Sequence, residues 1–188
     1  MVLVTEVACL LSIRHDAYFV AVLGLLGGFA TPIALSTGED KPVGLFSYLL
    51  LLNVGLMSVA LRKRWHGLVL LALGGTFLIQ LGWFARFMEP GKVLVGVLAF
   101  LLFGLLYLFM PAVSADRDSQ LLARTGALGG VLPFLFAFLL SAQPRFAGEW
   151  PLLFGFVGLL GAALVFVSLR RDEPALLVGG ALATAVSL

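Results

Sequence analysis

The sequence predicts an all-α fold, a polytopic transmembrane helical bundle of about eight membrane segments, six full-length and two truncated at the ends. Three observations carry this expectation. Hydrophobic residues make up 61% of the chain and charged residues 12%, which leaves almost no material for a water-facing domain. The charges, prolines and glycines gather in short breaks between long apolar runs. Six of those runs approach the roughly 20 residues that cross a bilayer as a helix, the form in which backbone N–H and C=O groups pair within the segment.

In chain order, the first full-length segment is Ala17–Ser36, set between Arg14-His15-Asp16 and Gly38-Glu39. Val43–Leu61 follows and ends at Arg62-Lys63-Arg64; Gly67–Ala85 ends at Arg86. Val93–Val113 starts behind Lys92, Leu121–Ala142 runs towards Arg145, and Leu152–Leu169 stops at Arg170-Arg171. Trp65, Trp83 and Trp150 fall near segment ends, where indole rings favour the membrane interface. The end segments, Met1–Ile13 and Ala175–Leu188, are too short to span comfortably, so the chain reads as a piece of a longer membrane protein. Met1–Ile13 lacks a basic start and a small-residue cleavage site and carries Glu6, unlike a signal peptide.

Other classes drop out quickly. One cysteine, Cys9, excludes an intrachain disulfide framework and any multi-cysteine metal site. A formal charge of +2 gives no argument for nucleic acid. The lipid bilayer, and the remaining membrane segments of a longer parent chain, are the expected partners.

The basic residues suggest an orientation. Arg14, Arg62-Lys63-Arg64, Arg117 with Arg124, and Arg170-Arg171 fall on one side, eight in all. Lys41, Arg86 with Lys92, and Arg145 make four on the other. Short loops rich in Lys and Arg stay cytoplasmic, so the first set is expected on the cytoplasmic side.

The chain also reads as a parallel four-helix internal repeat, with halves 1–91 and 92–188. Asp16, Gly24, Gly27-Gly28, Pro32, Gly38-Glu39 and Pro42 answer to Asp118, Gly126, Gly129-Gly130, Pro133, Gly148-Glu149 and Pro151. Gly74-Gly75 answers to Gly179-Gly180 at an offset of roughly 105 residues, or four spans. Parallel repeats of this kind occur in transporters. Glycines four apart let helix backbones approach closely, which matters where lipid removes the hydrophobic driving force. Gly155, Gly158 and Gly161 form a further small-residue strip. Helix packing outweighs a substrate role for all these glycines, and Pro32 and Pro133 are expected to kink their helices.

Candidate chemistry is sparse. Asn53, Thr76 and Gln80 lie well inside their segments, where interhelical hydrogen bonding is the plain reading and a solute site the sharper one. Arg124 is expected nearly two turns into its helix, either snorkelling to the interface or facing an anion. His15-Asp16 is a weak acid–base pair, since adjacent helical residues point apart, and His66 sits beside the basic cluster. Glu39, Asp40, Glu89 and Glu149 are expected in solvated outer loops. No catalytic, cofactor-binding or metal-binding residue is predicted, and no Walker loop, zincin motif or nucleophile elbow occurs.

Several stretches resemble a known family. They are Ser12-Ile-Arg14, Asp16-Ala-Tyr18, Leu23-Gly-Leu-Leu-Gly-Gly-Phe-Ala-Thr-Pro32, Leu35-Ser-Thr-Gly38, Leu45-Phe-Ser-Tyr48, Leu52-Asn-Val-Gly55, Ala60-Leu-Arg-Lys-Arg-Trp65 and Gly75-Thr76. The chain is similar there to the bacterial predicted membrane protein family called domain of unknown function 2339. The first half matches well and the second mainly in hydropathy. Members are typically longer, so the resemblance implies a fragment; it carries over no catalytic or binding residue. Three functions follow as expectations: a transporter-like or flippase-like bundle for an envelope precursor or small solute, a non-catalytic membrane scaffold or assembly module, and a membrane-embedded transferase. A polar cavity between the glycine–proline kinks would favour the first; a dry, closely packed bundle favours the second.

Overall fold

The computed structural model describes residues 6, 18–34, 38–114 and 119–171. Apart from Glu6, the end segments Met1–Ile13 and Ala175–Leu188 lie outside the described residues, as do His15-Asp16 and Gly179-Gly180. The helices are α1 (Tyr18–Ala34), α2 (Pro42–Lys63), α3 (His66–Phe87), α4 (Val93–Val113), α5 (Gln120–Ser141) and α6 (Trp150–Arg171). Short 3₁₀ turns at Pro90–Lys92 and Pro144–Glu149 lead into α4 and α6, and the described residues hold no strand.

From α2 onwards the expected segments and the helices agree within two residues at every end. Five helical stretches are long and apolar enough to cross a membrane: Pro42–Lys63, His66–Phe87, Pro90–Ala112, Gln120–Ser141 and Trp150–Leu169. α1 has 17 described residues; Ala17, Leu35 and Ser36 of the expected Ala17–Ser36 lie outside the described set. The described residues therefore account for five spans and α1, and not for a count of eight. Large apolar side chains such as Phe19, Leu23, Ile33, Leu78 and Leu169 are at least two-thirds exposed. Such a surface fits lipid and not water.

The chain divides into two compact units, Met1–Gly82 and Trp83–Leu188, with the boundary inside α3. In the first, α2 starts with Pro42, whose missing N–H falls where the helix has no acceptor for it. It ends on Arg64 at φ 56°, ψ 32°, with Trp65 N–H donating to the Ala60 carbonyl at 2.9 Å. This left-handed position is normally glycine's. Arginine occupies it here, and the chain reverses within two residues into α3. α1 packs on that hairpin at several points. The Tyr48 hydroxyl donates to the Gly28 carbonyl at 2.7 Å, the Phe29 ring covers Gly75, and Tyr18 meets Trp65 edge to face at 5.5 Å.

The Tyr48 bond has a sequence cause. Gly28 lies four residues before Pro32, which has no N–H to offer that carbonyl. A tyrosine hydroxyl from the next helix supplies the donor instead, the repair that lets proline sit inside a hydrocarbon-spanning helix.

In the second unit, α4 and α5 are antiparallel neighbours against which α6 lies. α5 begins at Ser119, whose hydroxyl accepts from Leu122 N–H at 3.3 Å as an N-cap. Phe100 and Phe136 stack at 3.8 Å with planes 14° apart, flanked by Phe84. Trp83 is buried, 3% exposed, edge-on to Phe100. Its place near the end of α3 had suggested an interfacial ring, but packing against Phe100 fixes it instead.

Candidate functional site

The residues singled out in the sequence fall into two groups, one per unit. In the first unit, Asn53 on α2 and Thr76 on α3 sit equally far from the Arg64-Trp65 turn, each eleven residues away. The hairpin therefore brings them level. The Asn53 amide donates to Thr76 Oγ1 at 2.8 Å and to the Leu49 carbonyl at 2.9 Å, and the Thr76 hydroxyl donates to Asn53 Oδ1 at 3.1 Å. Exposure is 0% for Asn53 and 1% for Thr76, so this exchange happens away from solvent and lipid alike.

Gln80 stands one turn beyond Thr76 on α3, and residues four apart share a helix face. It is 6% exposed, and its Nε2 is buried without a hydrogen-bond partner. Leaving a buried donor unmet costs about 1–3 kcal/mol. The three intramembrane neutral polar residues are thus brought onto one hairpin, two of them satisfying each other and one left with capacity.

In the second unit the glycines are filled by partners from the facing helix. A Cβ on Gly126 would lie 2.6 Å from Pro111 Cγ, and one on Gly104 would lie 2.6 Å from Pro133 Cγ. A Cβ on Gly129 would clash with Tyr107 Cβ, and one on Gly130 would meet Leu108 and Leu164 at 2.9 and 3.0 Å. Each helix contributes one glycine and, seven residues later, one proline: Gly104 with Pro111, Gly126 with Pro133. Antiparallel alignment then seats each proline ring in the other helix's glycine notch.

The prolines act twice. Pro111 and Pro133 cannot donate to the carbonyls of Tyr107 and Gly129, four residues earlier. Those two oxygens lie 3.2 and 3.5 Å from the Cβ positions of Gly126 and Gly104. Close approach at glycine therefore brings Cα–H groups towards proline-released carbonyls, a weak contact that recurs at helix–helix interfaces. The spacing of glycine to proline was visible in the sequence, but only the α5 copy was singled out. Gly104, Tyr107 and Pro111 were missed, and a glycine–proline spacing of seven in successive spans is the signal that could have found them.

The remaining candidates are dispersed. Arg124, at the fifth residue of α5, is exposed. Gly24 is half-buried, Gly28 is buried, and Gly27 has open space where a side chain would go. Pro32 is half-buried in α1 and Pro133 is buried in α5. Glu39 pairs with Lys41 at 2.6 Å and Glu89 with Lys92 at 3.4 Å, as expected of solvated loops. Among the described residues no three His, Cys, Asp or Glu side chains converge where a metal could bind.

Neither a curated protein nor a solved structure matches the chain. One family does, and its match runs over residues 1–188, wider than the first-half resemblance read from motifs alone. The hydropathy, the six described helices and this full-length match agree: the chain belongs to the family of predicted membrane proteins designated DUF2339.

Proposed function

We propose that the chain is a non-catalytic membrane scaffold, a helical module on which other membrane segments assemble. The observation that supports this best is the mutual seating of Pro111 in Gly126 and Pro133 in Gly104, with Phe100 stacked on Phe136 beside it. Had α4 and α5 been built around a solute path, the facing glycines Gly104, Gly126, Gly129 and Gly130 would open onto space. They hold prolines, a tyrosine and leucines instead. Gly155, Gly158 and Gly161 on α6, by contrast, have nothing within 4 Å of their Cβ positions, which suits docking of further helices. The test is reconstitution. A scaffold gives a complex of fixed stoichiometry by native mass spectrometry and no transbilayer movement of lipid analogues or small solutes. Flux that disappears with Asn53→Leu would overturn the reading.

A transporter-like or flippase-like role, moving an envelope precursor or small solute, is the second reading. Gln80 is the observation in its favour, since transport sites are built from buried polar groups with capacity to spare. In both readings the Arg62-Lys63-Arg64 and Arg170-Arg171 segments face the cytoplasm of a bacterial inner membrane. The three successive cations at the α2–α3 turn support that orientation.

A further inference from the structure

The polar strip of the first unit has a free end, and its chemistry limits what can meet it. Asn53 and Thr76 exchange hydrogen bonds, and the Asn53 amide also reaches the Leu49 carbonyl. Gln80, one turn along the same face, keeps an Nε2 group with no acceptor although the residue is only 6% exposed. An amide donor held that way in a span is costly, because no water stands by to satisfy it. Neither Pro42–Leu61 nor Gly67–Ala85 carries a charged residue. A full anionic group brought to this depth would find no cation on these two helices to offset its desolvation. An uncharged oxygen would.

We propose that the Gln80 amide is the donor of an intramembrane site for a neutral, lipid-soluble ligand that offers a carbonyl or hydroxyl oxygen. The exposed apolar side chains of the hairpin, Leu51, Leu71 and Leu78 among them, suit the body of such an amphiphile. The oxygen satisfies Nε2, and the Asn53–Thr76 pair, already matched, holds the two helices level around it. The ester carbonyl of a diacyl lipid and the carbonyl of a quinone present the same acceptor. This inference gives the transport reading a ligand class and is independent of the scaffold reading, which rests on α4 and α5.

The experiment places the full-length protein in nanodiscs of phosphatidylethanolamine and phosphatidylglycerol, with decylubiquinone as an added probe. Retained species are counted by native mass spectrometry. One equivalent of quinone or of neutral diacyl lipid is expected on the native protein, and which one is retained identifies the oxygen's source. Gln80→Leu and Gln80→Met lower that retention about tenfold, the loss of one buried hydrogen bond. Stripped of lipid and quinone in detergent, both variants keep or raise the unfolding midpoint, because each removes a donor that nothing then meets. Equal retention by wild type and variants overturns the proposal, as does retention confined to the anionic lipid. A fall in the ligand-free midpoint of both variants overturns it too, since it would mean the amide serves a protein partner.

Discussion

Replacing Gly129 with alanine tests whether the seating of α4 against α5 is as close as the structure shows. The added Cβ would clash with Tyr107 Cβ, with Tyr107 Cγ 3.1 Å and its Cα 3.5 Å away. Atoms that near the backbone cannot swing aside, so relief requires the helices to part. Overpacking of that kind costs about 1–3 kcal/mol, and here the upper part of the range applies. Against it stands the gain of about 0.5–1 kcal/mol from alanine's lower conformational entropy in a helix. The net expectation is a loss of about 1.5–2 kcal/mol. Gly155→Ala, which meets nothing within 4 Å, keeps only the gain. The two variants, unfolded reversibly by titrating denaturing detergent into mild micelles, should therefore differ by about 2–3 kcal/mol. Gly96→Ala falls between them, since the Cε of Met88, 2.5 Å off, is the end of a flexible chain. Equal stability for Gly129→Ala and Gly155→Ala would refute the close-packing argument outright.

Other outcomes follow from other contacts. Arg64→Gly relieves a left-handed residue at φ 56° and should stabilise the α2–α3 turn by about 1 kcal/mol in the same titration; a loss would show that the arginine side chain matters to folding. Asn53→Leu and Thr76→Val should each cost about 1–3 kcal/mol, while the double variant costs clearly less than their sum; strict additivity would show the two side chains do not pair. Phe100→Ala opens a void beside Phe136 and should cost about 3–5 kcal/mol, read as the shift in the unfolding midpoint. With Cys9 replaced, Lys63→Cys should label in inverted vesicles and Arg145→Cys in right-side-out ones; the opposite pattern would reverse the orientation, and labelling of both from one side would refute the alternation of the loops.

The membrane spans were legible because hydrocarbon imposes one rule on composition and one on length, and the sequence obeys both. Helix ends were legible for the same reason: the Arg62-Lys63-Arg64 cluster, Arg86 and Arg170-Arg171 mark where the apolar runs stop. Pairing was harder. Asn53 and Thr76 each stood out as polar residues in apolar runs, but their meeting depends on a turn of only two residues at Arg64 and Trp65. Shifting that turn by one residue would rotate Thr76 away. The glycines show the limit most clearly. Gly27 and Gly129 look alike in sequence, yet open space surrounds one and Tyr107 fills the other. A glycine announces that something can come close, and only the neighbouring helix decides whether anything does. The proline-released carbonyl of Gly28 is a similar case, since nothing local to Pro32 points to Tyr48, which lies twenty residues after Gly28.

The paired glycine and proline positions also decide how α4 and α5 can move. Helices in membrane proteins often ratchet past one another by a single turn, and small-residue interfaces usually permit it. Here a one-turn slip in one sense sets Pro133 opposite Phe100 and Pro111 opposite Leu122; a slip in the other leaves Pro111 over a glycine, Gly130, but sets Pro133 opposite Leu108. Either step therefore puts at least one proline ring against a bulky side chain. The pair consequently has one stable alignment and behaves mechanically as a single strut, so any conformational cycle of this protein must be taken up by other helices.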